Sequence, residues 1–406
     1  MRRVVITGLG ALSSVGIGIT AHLNAFRRGA SGLRKISSIS TDGFSTAVGF
    51  EVQQFDPYRW IRNVDPRTIG RSAQLAVAAS RMALSDAGIE VESLLRGRCG
   101  VSIGTCDADL PSIEPLIAPS AGSLSATLTR QLARQLPAQR LAFSVAQEFD
   151  LPGAAITIGT ACAAGNYAIG YAYDNIVLGE SDLMLCGGAE SISRKNFAGF
   201  SSVRAMAPER CQPFDADRKG MLMGEGSGVL VLESLESARS RGARIYAEVL
   251  GYGLNCDASN PVAPNVGSIA ECMRIAHRNA RIEPIDVDYI CAHGTGTVTN
   301  DSVESAAIRD VFGNRVPAIS SIKSMIGHTL GAASALGSIA CAVALSKDFI
   351  PPTINHRRTD PACGVDCVPN TMRATRLRVV QNNGFAFGGN NAITIYGRYD
   401  DEERSI

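Results

Sequence analysis

The chain has 406 residues, 45% hydrophobic and 19% charged, with 39 basic against 38 acidic side chains. That is ample for a large or doubled core, and a formal balance of +1 supplies neither the bulk positive field of a nucleic-acid binder nor a polybasic membrane anchor. Disorder, collagen and coiled coil are excluded by the same figures, and no apolar run is expected to reach the roughly 18 residues that span a bilayer.

Short β-branched runs alternate with alanine-rich amphipathic stretches, the pattern of an α/β protein with covered sheets. The chain opens on Met1-Arg2-Arg3 and an apolar run over 4–6. Thr7, Gly8, Gly10, Ser13 and Ser14 interrupt it too early for a signal peptide, so a first strand entering a turn is expected. Helices are expected over 20–27 and 69–86, and a strand over 100–103. Residues 107–125, rich in proline and serine, read as loop. A strand over 155–158 leads into a helix over 163–178. Further strands are expected over 182–186, 228–232, 247–253, 289–292, 318–320 and 392–396, with helices over 268–280, 302–311 and 331–346. Tandem repeats are absent. Residues 155–178 and 318–346 nevertheless share one order of strand, small-residue turn and apolar helix, which suggests two similar halves facing each other.

The eleven cysteines have neither zinc-site spacing nor the density of a small secreted scaffold. Most, such as Cys186, Cys291 and Cys341, sit in apolar runs and read as packed thiols of a protein in a reducing cytoplasm. Cys162 differs, because Thr160-Ala161-Cys162-Ala163-Ala164-Gly165 sets it between a strand and a long helix. Small neighbours permit a sharp turn there, and a helix beginning at that point favours thiolate. The alternative is one more buried structural cysteine. Of five histidines, His22, His277 and His356 lie in ordinary helix or loop sequence. His293 opens His293-Gly294-Thr295-Gly296-Thr297, and His328 ends Lys323-Ser324-Met325-Ile326-Gly327-His328. Both stand at element ends among small residues, where two neutral imidazoles could donate hydrogen bonds to one developing oxyanion. Residues 382–391, with glycines around Phe385 and Phe387, suggest a mobile loop whose ring plugs a channel, or else a plain glycine turn with core phenylalanines. Gly8-Leu9-Gly10 lacks the third glycine and downstream acid of a dinucleotide fingerprint. Cys363 and Cys367 are too few for a metal site.

The segments around Cys162, 293–297, 323–328 and 383–389 resemble those of the β-ketoacyl-[acyl carrier protein] synthases, in the elongating branch with a Cys-His-His set. Family-like sequence also occupies residues 3–10, 187–191, 213–233 and 351–355, so the resemblance runs from about residue 2 to 398. It implies a thiolase fold, a five-layered α-β-α-β-α sandwich of two similar halves, 1–250 with the nucleophile and 251–406 with both histidines. It further implies that Cys162 carries the acyl chain, that His293 and His328 promote malonyl decarboxylation and stabilise the enolate, and that Lys323 organises the charges. The N–H groups of Cys162 and Phe387 would form the oxyanion hole, with Phe387 also gating malonyl entry. Thr295, Thr297 and Phe385 would bind the substrate and its pantetheine arm, while Asp301 and Glu304 look structural. No metal or organic cofactor is implied.

The implied partners are an acyl carrier protein bearing acyl and malonyl groups, met by Arg62, Arg67 and Arg204, and a second ketosynthase-like subunit in a homodimer or heterodimer. Three positions depart from the family pattern. Gly337 stands where an acid is usual, Val262 where a threonine is usual, and Ala386 replaces the glycine before Phe387. They point to a specialised synthase of polyketide, aryl-polyene or unusual fatty-acyl type. The rivals are a non-elongating chain-length factor, which normally lacks the cysteine, and a Cys-His acyltransferase or hydrolase.

Overall fold

The computed structural model describes residues 2–94, 98–117, 122 and 124–400. Ten strands form one hydrogen-bonded path: β1 (Val4–Ser13), β2 (Cys99–Gly104), β3 (Ala155–Ile158), β4 (Leu183–Glu190), β5 (Gly226–Ser234), β6 (Ala247–Cys256), β7 (Tyr289–Cys291), β8 (Ala318–Ser320), β9 (Val379–Phe385) and β10 (Asn390–Gly397). Their order is β8-β7-β9-β10-β6-β1-β5-β4-β2-β3, and an eleventh strand, Gly16–Ile17, folds back on β1. The path has internal symmetry. In one half β3, β2 and β4 run parallel and β5 and β1 follow antiparallel; in the other β8, β7 and β9 run parallel and β10 and β6 follow antiparallel. Within the sheet the halves join where Val4–Ile6 pair with Ala247–Val249, which makes the two ladders one continuous sheet.

The helices among the described residues include α1 (Ile19–Arg28), α2 (Arg71–Asp86), α3 (Leu110–Ile117), α4 (Arg140–Phe149), α5 (Ala164–Val177), α6 (Arg194–Ser202), α7 (Val266–Ala280), α8 (Val298–Phe312) and α9 (Ala333–Lys347). The period-two strand pattern sorts them into layers. On β5, Val229 and Val231 pack with α2 and α4, while Leu230 and Leu232 point to the middle layer of α5 and α9. On β7, Ile290 meets α7 and α8, while Tyr289 and Cys291 point to that same middle layer. Five layers, α-β-α-β-α, result as expected.

Several expectations need correction. β1 does not turn at Gly8 but runs on to Ser13. Its glycines serve close packing, since a Cβ on Gly8 would lie 2.2 Å from the Ala83 carbonyl oxygen and one on Gly10 only 1.9 Å from that of Ala79, both on α2. The stretch 107–125 is not all loop: α3 occupies part of it, tolerating Pro115, and residues 118–121 and 123 lie outside the described residues. The expected mobile loop 382–391 is mostly the ladder of β9 and β10, and only Ala386–Gly389 turns. The window Leu330–Lys347 is long and apolar enough to cross a membrane, but 89% of it is buried, wedged between the two halves of the sheet.

Candidate active site

β3 ends at Ile158, and the chain then makes a 3₁₀ turn, Ala161–Ala163, before α5 begins. Ala161 is held at φ 49°, a left-handed conformation that costs a residue with a Cβ and recurs at functional turns. The other half repeats the device with Leu330 at φ 47°, a 3₁₀ turn Leu330–Ala332, and then α9. The residue matching Cys162 is there Gly331, where a Cβ would fall 2.4 Å from Thr105 Cα.

Cys162 is buried in an apolar cluster with Ile36, Ile192, Phe197, Met206, Met221, Met223 and Leu330. That burial pushes its thiol up to about 12, the reverse of the expected thiolate. The Lys323 ammonium pulls the other way, as do the backbone N–H groups of Cys162 and Phe387.

His293 follows β7 in a backbone fastened by acids on α8. Glu304 accepts from the N–H groups of His293 and Gly294, each at 2.8 Å, and from Asn383 Nδ2 at 2.9 Å. Asp301 accepts from the N–H of Phe214 at 2.8 Å and that of Gly296 at 3.2 Å. Gly294 and Gly296 sit at φ 36° and 81°, which suits glycine. Both acids hold backbone, as the resemblance implied.

The two imidazoles meet at right angles, centroids 5.4 Å apart. His293 Nδ1 accepts from the Phe385 N–H at 3.4 Å, and His328 Nδ1 accepts from the Leu330 N–H at 3.2 Å. Burial, reinforced by the Lys323 charge, holds both well below the usual histidine range, so both are neutral at pH 7. With Nδ1 occupied as an acceptor, each ring carries its proton on Nε2. The pair is therefore two hydrogen-bond donors. Lys323 is buried and donates to the His293 carbonyl at 2.6 Å; burial lowers its own pKa.

Cys162, His293, His328, Thr295, Thr297, Phe385, Phe387 and Arg204 line one cavity of about 500 Å³, with Lys323 behind its wall. The Thr295 and Thr297 hydroxyls are 2.9 Å apart. Phe387 is 41% exposed at the mouth and faces Phe200, ring centroids 5.5 Å apart. Val262 borders the same mouth, and Ala386 packs into the shell around Cys162. Gly337 faces Asn382 of β9. A Cβ there would lie 2.4 Å from Asn382 Oδ1, and Asn382 Nδ2 donates to Asn166 Oδ1, the Ser334 carbonyl and Ser338 Oγ.

Arg62 and Arg67 lie away from the cavity. Arg67 is clamped by Asp65, with Nη2 to Oδ2 at 2.8 Å. Sequence reasoning missed the cleft that Arg67 borders, lined by Thr68, Thr127, Arg130, Gln131, Arg134 and Arg140, with Gln131 Nε2 donating to the Arg67 carbonyl at 2.7 Å. Arginines four apart at 130 and 134 were the available signal. Also missed was Glu190 at the end of β4, which accepts from the N–H groups of Cys106 at 2.5 Å and Gly331 at 3.2 Å and so ties the two halves beside Cys162. An acid closing the apolar run 183–190 was its only mark.

A family model described as "Beta-ketoacyl synthase, N-terminal domain" matches residues 1–238, and "Beta-ketoacyl synthase, C-terminal domain" matches 246–357. Nodulation protein E of Rhizobium leguminosarum bv. trifolii is 38% identical over 401 residues, 97% of this chain and 99% of its own. The 3-oxoacyl-[acyl-carrier-protein] synthase 2 of Synechocystis sp. is 35% identical over 413 residues, 98% of each chain. Among solved structures, the ishigamide ketosynthase/chain length factor superposes with a TM-score of 0.96 at 49% identity, covering 98% of this chain and 100% of that one. A type II polyketide ketosynthase, solved in complex with its acyl-carrier protein and bound to the hexaketide, gives 0.90 at 31% identity, with coverage of 98% and 100%.

Proposed function

The chain belongs to the β-ketoacyl synthase family, a carbon–carbon bond-forming acyltransferase of fatty acid or polyketide biosynthesis, and from that premise we propose that Cys162, His293 and His328 carry out its condensation. The Cys162 sulfur attacks the acyl thioester, a new C–S bond forms, and the carrier thiol departs with the proton. The N–H groups of Cys162 and Phe387 bond the transient oxyanion, as their pull on the Cys162 thiol towards its charged form supports. Malonyl thioester then enters past Phe387, its arm along Thr295, Thr297 and Phe385. Its carbonyl oxygen accepts from both Nε2–H groups while the bond to the carboxylate breaks and carbon dioxide leaves. The enolate carbon attacks the Cys162 thioester, the C–S bond breaks, the released Cys162 sulfur takes up a proton from water to restore the thiol, and a 3-oxoacyl carrier thioester departs. Lys323 keeps both histidines neutral and opposes the cost of a sulfur anion.

The observation that carries this reading is the pair of backbone N–H groups bonded to the two Nδ1 atoms, which leaves two donors and no acceptor to meet the growing negative charge. An acidic carrier fits the basic cleft beside Arg67, with Arg204 at the mouth and Arg62 as a further contact. The apolar edge strand β3 is paired only with β2 and partly exposed, an edge that a second ketosynthase-like subunit, identical or not, would cover. Eleven free cysteines suit a reducing cytoplasm. Incubation with acyl and malonyl carrier proteins tests the function. One carbon dioxide per 3-oxoacyl carrier is expected; free acid without carbon dioxide would make the protein a hydrolase.

A further inference from the structure

His293 and His328 each accept a backbone N–H at Nδ1, but the two N–H groups are held in different ways. That of Phe385 lies on the last rung of the β9–β10 ladder, where Phe385 pairs with Asn391. That of Leu330 opens the 3₁₀ turn Leu330–Ala332 instead, with Leu330 itself at φ 47°. A residue with a Cβ resists this left-handed conformation, which persists only where the surroundings hold it.

The holder is Glu190, at the end of β4 in the opposite half of the sheet. Its Oε2 accepts from the Gly331 N–H at 3.2 Å and the Cys106 N–H at 2.5 Å, and its Oε1 from the Asp107 N–H at 3.3 Å. Thr105 Oγ1 donates to the same carboxyl, 3.3 Å from one oxygen and 3.2 Å from the other. The Leu330 and Gly331 N–H groups flank the Leu330 Cα, so fixing the second limits how the first can swing. The His328 backbone needs no such help: its N–H donates to the Leu222 carbonyl at 2.8 Å, and its carbonyl accepts from the Gly224 N–H at 2.9 Å. What Glu190 adds is the aim of one N–H at Nδ1. Without that donor a neutral imidazole is free to carry its proton on Nδ1, and Nε2 then offers a lone pair where the growing enolate needs a hydrogen.

We propose that Glu190 is a positioning residue for the condensation: from the half that carries Cys162 it fixes the Leu330 turn of the other half, and so selects the His328 tautomer that donates through Nε2. The proposal rests on the condensing reading above and adds a residue to it. His293 has no need of a counterpart, because a strand already holds its donor.

The tautomers are read without substrate, from long-range nitrogen–proton correlations of the protein with its five histidine rings labelled with ¹⁵N. The single alanine variants assign the His293 and His328 signals. Both rings of the wild type are expected to carry the proton on Nε2. Glu190→Ala should turn His328 into a mixture of tautomers and leave His293 as it was. Its carbon dioxide release from malonyl carrier protein should fall about tenfold or more. Acyl loading of Cys162 should not slow, because Glu190 adds to the upward push on that thiol. In Glu190→Gln the amide oxygen can replace Oε2 and the amide nitrogen can donate to Thr105 Oγ1. That variant should keep the single tautomer and release carbon dioxide within about threefold of wild type. A lone Nε2–H tautomer for His328 in Glu190→Ala would overturn the proposal. So would acyl loading that falls as steeply as carbon dioxide release, which would make Glu190 structural only. If Glu190→Ala does not fold, hydrogen exchange in the wild type decides. The Leu330 and Gly331 amides should exchange slowly and together, and free exchange at Gly331 overturns the proposal. Absence of carbon dioxide release from the wild type overturns the condensing reading, whereas the tautomers and amide exchange test the hold of Glu190 by themselves.

Discussion

Ala161 and Leu330 hold nearly the same left-handed backbone, φ 49° and 47°, each opening a 3₁₀ turn ahead of a buried helix, yet the next residue is Cys162 in one half and Gly331 in the other. In the first half the turn delivers a side chain into the cavity. In the second it delivers backbone, because Gly331 lies on Thr105 and Cys106 and its N–H reaches Glu190. The reactive groups of the second half stand upstream instead, at Lys323 and His328. A duplicated turn is thus a scaffold, and its chemistry is decided by what the opposing half leaves room for. The crossing of α5 and α9 shows the same tightness, since a Cβ on Gly165 would lie 2.6 Å from the Ala335 nitrogen.

If the second half supplies the donors, His293→Ala or His328→Ala should each cut carbon dioxide release from malonyl carrier protein by about 10²- to 10³-fold. The double variant should lose much less than the product of the two, because both donors serve one oxygen. Unchanged release in either single variant would break the division of labour.

The contrast between the turns sharpens in urea melts. Gly331→Ala should destabilise the fold by about 2–3 kcal/mol, as its Cβ meets rigid backbone. Cys162→Ala, which trims a side chain bordering a cavity, should cost about 1 kcal/mol or less. Equal costs would mean that the two turns are packed alike.

Acid should weaken the fold through its buried imidazoles. His22 is pushed down to about 4, and His293 and His328 are held well below the usual value. A depressed folded pKa gives stability that is present above the unfolded value of about 6.5 and lost as pH falls below it. The carboxyls of Glu190, raised to about 8, and Asp109, raised to about 6, act the other way over the same window, so the imidazole contribution is read as a difference between variants in the melting-temperature fall from pH 8 to pH 5. The fall should be smaller in His293→Ala, measured against its own value at pH 8.

The smallest effect is expected at the gate. Ala386→Gly should loosen the turn that carries Phe387 and change the KM for malonyl carrier protein by about threefold, with loading of Cys162 unaltered.

Much of this was legible in the chain. The strands at 155–158 and 318–320 were placed to the residue, and the echo between 155–178 and 318–346 became the two turns. Cys162, His293 and His328 stood out because each sits among small residues at an element end. Three things were not legible. Gly8 and Gly10 looked like a turn because a sequence does not say which helix will press on a strand. β9 was hidden because Gln381-Asn382-Asn383 are poor strand formers on their own, and they become strand with Asn382 bonded in the middle layer and Gln381 and Asn383 bonded on the opposite face, to His277 of α7 and Glu304 of α8. The Cys162 thiol was misjudged because the helix start was visible and the apolar cluster that buries it, drawn from separate segments, was not.

The most direct test is intact-mass analysis with peptide mapping after incubation with acyl carrier protein, wild type beside Cys162→Ala. One acyl group is expected, on the peptide containing Cys162 of the wild type, discharged as a chain two carbons longer once malonyl carrier protein is added. An adduct on Cys162→Ala, or a wild-type adduct that malonyl carrier protein leaves in place, would contradict the account.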